Sequence, residues 1–215
     1  MKFFQLEAAP RTGTGKKAAK AIRKEDGIPC ILYGNTPFAL PYNGELKEGQ
    51  NLVETGNNMG VIVTHLVVTK DAVRHLLYTP EVFLVELSIK GIGVVKAILK
   101  DLQTQPVTDE IIHLDFLEIY EDKPIVIDVP VSLQGHSEGV KAGGKLSLDM
   151  RKLKVKALYN NIPEKLLIDI TNLGLGKTIQ VGSLHFDNLE LMNAKNAVVC
   201  AVKLTRAARG AAAAK

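Results

Sequence analysis

The chain has 215 residues, a formal charge of +4, 46% hydrophobic residues and no Trp. That length accommodates one large domain or two ordinary ones. The hydrophobic share supports a buried core, which excludes a wholly disordered chain. Cys30 and Cys200 lie far apart in apolar stretches, outside any CxxC or Cys/His cluster. No zinc or other cofactor is expected, and both cysteines read as buried free thiols. The start, Met1-Lys2-Phe3-Phe4-Gln5-Leu6-Glu7, carries an early acid and no long apolar core. No run approaches the roughly 18–20 apolar residues of a membrane span. The expectation is a soluble cytoplasmic protein with no membrane or small-molecule partner.

Val, Ile and Leu in short runs favour strands. Phe3–Ala8 reads as the first, ending at Pro10, and Arg11–Gly15 as a short loop. Lys16–Glu25 reads as a helix, with Ala18, Ala19, Ala21 and Ile22 as its small apolar side and Gly27 as its stop. Ile28–Tyr33 resumes a strand. Asn35–Gly60, rich in Gly, Asn, Pro and Glu, reads as an extended, mobile loop. A strand over Val61–Val68 then leads through Thr69, as N-cap, into a helix over Lys70–Tyr78. Val82–Ile89 and Val94–Leu99 form a hairpin across Lys90–Gly93. Ile111–Ile119 alternates, with Ile112, Leu114 and Phe116 on one face and His113, Asp115 and Leu117 on the other.

Glu121–Pro124 marks a domain junction, a charged break before a fresh strand series. Seven short strands follow, over Ile125–Leu133, Lys145–Leu148, Leu153–Leu158, Leu166–Ile170, Ile179–Val181, Leu189–Leu191 and Val198–Leu204, with Gly143-Gly144-Lys145 as a hairpin turn. Such spacing implies a sandwich or barrel-like second domain. The fold class is therefore α+β, mainly β: a first domain over 1–120, a mainly antiparallel β domain over 121–205, and a basic Ala-rich tail over 206–215, expected to be disordered.

Arg11–Lys24 holds six bases (Arg11, Lys16, Lys17, Lys20, Arg23, Lys24) and no acid, whereas acids at least balance bases from Glu25 to Asp115. Concentrated charge is the footprint of a polyanion-binding surface. Lys16, Lys20 and Arg23 or Lys24 recur at helical spacing on one face. Binding to RNA or another polyanion, a merely solvated face, and attachment to a membrane surface all fit this pattern. A P-loop does not: Pro10 stands where its first Gly belongs, and Lys17 replaces the Ser or Thr that binds magnesium. His113 and Asp115, two apart on a strand, share a side. They suit a metal site, a catalytic pair, a polar RNA-reading face or an ordinary exposed strand face. No further nearby His or Cys supports the first, and no nucleophile motif supports the second.

Two ordered motifs carry a resemblance. The first is Arg11-x4-Lys16-Lys17-x5-Arg23-Lys-x2-Gly27-Ile-Pro29-x3-Tyr33-Gly34. The second is Lys100-Asp-Leu-Gln103-x2-Pro106-Val-x5-His113-Leu-Asp115-Phe116. Asp122-Lys-Pro124 and Gly139-Val-x-Ala-Gly-Gly144 extend the match over nearly the whole chain. On these residues the chain resembles the long, two-domain form of the bacterial large-subunit ribosomal protein twenty-five family, also called general stress protein CTC. The resemblance implies an N-terminal β-barrel-like domain with two helices that binds the loop E region of 5S rRNA. It also implies a mainly β C-terminal domain reaching over neighbouring ribosomal surface, with the large subunit and adjacent ribosomal proteins as partners. Carried over by position, the RNA-contacting residues are Arg11, Lys16, Lys17, Lys20, Arg23, Tyr33, Gln103, His113 and Asp115. Asn35–Gly60 is longer than the family's usual link. The leading expectation is thus a structural RNA-binding protein and not an enzyme. A tRNA-anticodon reader acting with a partner enzyme is the alternative, because the family's fold is similar to the anticodon-binding domains of glutaminyl-tRNA synthetases. A hydrolase built on His113 and Asp115 lacks a nucleophile.

Overall fold

The computed structural model describes residues 2–34, 37–42, 44–56, 58–79 and 81–205. The chain divides into two compact units, Met1–Lys123 and Pro124–Lys215. The tail over 206–215 lies outside the described residues.

The first unit is built on strands β1 (Lys2–Pro10), β2 (Gly27–Tyr33), β5 (Met59–Thr69), β6 (Phe83–Ile89), β7 (Gly93–Thr104) and β8 (Ile111–Glu118). They run in the order β1-β6-β7-β8-β2-β5, and a β5–β1 pairing closes the ring into a six-stranded barrel. The β1–β6 and β2–β8 pairs are parallel and the rest are antiparallel. Alternation sends Leu6, Ala8, Cys30, Leu32, Leu66, Val68, Leu87, Leu114 and Phe116 into one core. Each large side chain buried there contributes about 1.5–3 kcal/mol. Val73 and Leu76 of helix α2 (Lys70–Leu77) join the same core. Thr69 stands at the N-cap of α2, but its hydroxyl makes no cap bond; the Lys70 amide bonds the Asp26 carbonyl instead.

Helix α1 (Lys16–Lys24) lies against β2. Ile22 is its one long apolar side chain. A Cβ on Gly27 would come within 2.8 Å of Ile22 Cγ2 and 3.1 Å of Val67 Cγ1, so Gly27 permits the close approach of helix to sheet. Gly27 is not the helix stop expected from sequence. Asp26, at φ 54°, takes the left-handed turn, and Gly27 already belongs to β2. Asp tolerates that conformation better than most residues.

Two further expectations are corrected. Asn35–Gly60 is not an extended loop throughout, because β3 (Phe38–Ala39) and β4 (Gln50–Gly56) both pair with β5. Few apolar residues mark this segment because β4 is paired, among the described residues, by β5 alone and is largely exposed at Asn51, Val53, Glu54 and Thr55. The strand expected to end at Leu99 runs to Thr104. Register shifts at Leu99/Asp101 and Gln103/Thr104 break its alternation, so hydrophobic pattern alone ends too early.

In the second unit, β9 (Ile125–Gln134), β11 (Lys152–Ala157), β12 (Leu166–Asp169) and β14 (Glu190–Leu191) form a sheet in the order β12-β9-β11-β14. A second sheet has the order β10-β15-β13, from Lys145–Leu148, Val198–Lys203 and Thr178–Gln180. Among the described residues only the β9–β12 pair of this unit is parallel. Gly143-Gly144 is not a hairpin turn. It ends the short helix α3 (Glu138–Lys141), which begins at the Ser137 cap. Gly143, at φ 89°, donates to the Val140 carbonyl and Gly144 to that of Gly139, the two bonds of a Schellman ending. Cys30 and Cys200 are both buried and unbridged, and burial pushes the Cys30 thiol well above its ordinary range.

Candidate nucleic-acid interface

The barrel face opposite the core carries a row of side chains fixed by register. Asp101 of β7 stands opposite Asp115 of β8, Asp115 beside Ile31 of β2, and Ile31 opposite His65 of β5. The Arg11 amide donates to the His65 carbonyl at 3.0 Å, which places Arg11 at the end of the row. One step along, Gln103 stands opposite His113, and Tyr33 lies beside Leu117. The register shifts in β7 thus bring Gln103 to the histidine. Arg11, Tyr33, Gln103, His113 and Asp115, expected from sequence as one site, do share one face.

Helix α1 borders this face. Arg23 donates from Nε and Nη2 to the Ile112 carbonyl, at 3.1 and 3.0 Å, and so ties the helix to β8. Lys16, Lys17 and Lys20 are exposed. Lys16 and Lys17 occupy the first turn, where the helix dipole is positive and no acid compensates. Cations there cost a helix a few tenths to about 1 kcal/mol, so their placement serves a bound anion better than it serves the helix.

His113 Nδ1 lies 2.8 Å from Asp115 Oδ1, and the two side chains keep only 16% and 18% of their exposure. This pair is not an ordinary solvated strand face. Asp115 Oδ1 is nevertheless buried without a well-aligned hydrogen bond. Arg11 Nε and Nη1 and His65 Nδ1 are buried without any partner among the described residues. Native proteins leave few such atoms unpaired, and here they gather on one face. Among the described residues no group of three or more His, Cys, Asp or Glu side chains is placed to hold a metal.

The charges interact across the face. Burial, and then the Arg23 charge, lowers the Arg11 guanidinium from its usual value, with the Cys30 thiol opposing. Burial and the Asp115 charge raise Tyr33. Burial, then Arg11 and His113, lowers His65. Burial lowers His113, against Asp115, which favours its charged form, and with further help from Arg11 and Arg23. Both histidines therefore resist protonation in the fold, while the unfolded chain takes up protons near its ordinary value of about 6.5. Their contribution to stability is present above that value and is lost as pH falls through it toward the lower folded values. The first unit should melt lower at pH 5 than at pH 7.5, and His113→Gln should shrink the difference; an equal or larger difference in the variant would refute the assignment.

His65 is the site residue that sequence reasoning passed over. No alternation flags it: Val61–Val68 is apolar at both parities apart from Thr64 and His65, and Val63, on the same parity as His65, is buried.

A profile of the ribosomal L25p family matches residues 6–63 and 52–116, and one of the ribosomal protein TL5 C-terminal domain matches residues 124–206. The chain belongs to the ribosomal L25p family. It has the long, two-domain form, and by family it is a structural ribosomal protein rather than an enzyme. It is 62% identical over 212 residues to a protein named large ribosomal subunit protein bL25 from Porphyromonas gingivalis, covering 99% of this chain and 98% of that one. The protein of that name from Parabacteroides distasonis is 58% identical over 216 residues, 98% of each chain. That from Azobacteroides pseudotrichonymphae is 50% identical over 209 residues, 97% of each. The L25p match falls in two pieces that overlap at 52–63, within the β4–β5 hairpin. Among the described residues no helix is long and apolar enough to cross a membrane.

Proposed function

We propose that this protein is a cytoplasmic component of the large ribosomal subunit that binds 5S rRNA, at its loop E region, through α1 and the adjoining barrel face. The observation that carries the reading is the meeting of Arg11, Tyr33, Gln103, His113 and Asp115 on one face with unpaired buried polar atoms. An irregular duplex such as loop E opens a groove that regular A-form RNA keeps closed to side chains. Lys16, Lys17, Lys20 and Arg11 neutralise phosphates and release counterions. Gln103, His113, Asp115 and Tyr33 reach bases and sugars and set the register. Asp115 repels phosphate, so its partner is a base amino group or a hydroxyl. Arg23 holds the helix on β8 while adding its charge. The first unit carries the RNA site, and the second extends to neighbouring ribosomal proteins.

Arg23→Ala and His113→Ala should each weaken binding to a 5S rRNA loop E fragment by roughly 1–3 kcal/mol. Filter binding with excess tRNA as competitor checks this. Wild-type affinity in both variants would remove the assigned face, and displacement by tRNA at equal concentration would favour an anticodon reader instead.

A further inference from the structure

We infer that His65 is a further RNA-contacting residue, which grips the ribose–phosphate backbone together with Arg11. The inference rests on the RNA-binding reading above and extends it to a residue outside both sequence motifs.

His65 is fixed by its backbone on the edge of β5 nearest Arg11. Its amide donates to the Gly49 carbonyl at 2.8 Å, and its carbonyl accepts from the Arg11 amide at 3.0 Å. Gly49 belongs to the Asn35–Gly60 segment and precedes β4, so this segment helps to hold His65 in place. The side chain shares the face of Ile31 and Asp115. Ile31 stands between the imidazole and the carboxylate, so His65 does not complete the His113–Asp115 pair. Its Nδ1 and the Nε and Nη1 of Arg11 are buried and have no partner among the described residues.

Both side chains are only part-buried, so a change of rotamer on binding presents these atoms to a ligand, and their chemistry selects it. A guanidinium offers donors only, so Arg11 requires an acceptor, which a phosphate oxygen supplies. Burial, and then Arg11 and His113, disfavours protonation of the imidazole, and in the neutral ring Nδ1 offers either one donor or one acceptor. A ribose 2′-hydroxyl is both donor and acceptor and satisfies either tautomer. In RNA a 2′-hydroxyl stands next to a phosphate on the same strand, matching the adjacent His65 and Arg11.

The test uses the full chain, the 5S rRNA loop E fragment and three variants. His65→Ala should bind about tenfold more weakly, the scale of one lost hydrogen bond to a polar RNA group. His65→Asn, whose amide reaches the position of Nδ1, should bind within about twofold of wild type. His65→Gln, which reaches the other ring nitrogen, should lose as much as His65→Ala. Single 2′-deoxy substitutions scanned along the fragment should then reveal a position that weakens wild type and leaves His65→Ala unaffected. Wild-type affinity in His65→Ala overturns the inference, as does an equal loss in Asn and Gln or the lack of any coupled 2′-position. If His65→Ala fails to fold, the Asn/Gln contrast decides. Failure of the wild-type protein itself to bind the fragment would instead remove the parent reading.

Discussion

Arg11→Met is expected to raise the melting temperature of the free protein by a few degrees and to weaken its binding to a loop E fragment by about 1–3 kcal/mol. The two effects have one cause. Arg11 Nε and Nη1 are buried and donate to nothing among the described residues, and an unmet buried donor costs about 1–3 kcal/mol. Arg11 is only half-buried, which reduces the cost, so a gain of about 1 kcal/mol is the appropriate scale. Its surroundings add to the strain, since Arg23 opposes its charge and it disfavours the protonation of both His65 and His113. Methionine keeps the length of the apolar stem and discards the head, so packing survives. Thermal melts and filter binding on the same preparation measure both changes. A variant that melts lower than wild type would mean that Arg11 is already satisfied in the free fold, and the case for an incomplete site would fall with it.

Most of the barrel's strands were legible in sequence because each buries one face. Leu6 and Ala8, Cys30 and Leu32, and Leu114 and Phe116 alternate with outward residues, and this period specifies a half-buried strand. What sequence did not reveal depends on pairing between distant segments. The β1–β5 contact that closes the barrel rests on two residue pairs, Ala9–Val67 and Pro10–Leu66, and no local pattern announces it. Strand β4 contributes little to the core, so its pairing with β5 left no hydrophobic trace. The extension of β7 to Thr104 crosses two register shifts where alternation fails, although that extension is what brings Gln103 to His113. The Schellman ending of α3 is hidden in sequence for a different reason: a Gly-Gly pair serves a hairpin and a helix end equally well, and only the bonds to Val140 and Gly139 separate them.

The candidate site divides along the same line. Its charge was legible, because six bases without an acid stand out in any reading of Arg11–Lys24. Its shape was not. Arg23 looks in sequence like one more cation of the basic face, yet it spends two donors on the Ile112 carbonyl. It therefore couples the helix that supplies charge to the strand that carries His113 and Asp115. His65 looks like a stray histidine until β5 is paired with β2 and with the end of β1. The basic helix and the polar strand thus form one surface held together by Arg23, so a contact made by one fixes the position of the other.

Replacing Lys16, Lys17 and Lys20 together by alanine should produce the largest loss of binding, with folding left intact. All three side chains are exposed. Alanine has the higher helix propensity, and removing Lys16 and Lys17 relieves the unfavourable charge in the first turn. The melting temperature should stay the same or rise. Each phosphate neutralised contributes about 0.7–0.9 to the slope of log affinity against log salt, so losing three contacts should reduce that slope by roughly 2–3. At about 0.15 M salt this corresponds to a loss of roughly a hundredfold in affinity. The size of the slope change separates these lysines from residues that read sugars and bases. His113→Ala should lower affinity by a similar factor at every salt concentration, because the group it removes displaces no counterion. If the triple variant instead keeps the wild-type slope, α1 faces solvent in the complex, and the barrel face alone must account for binding.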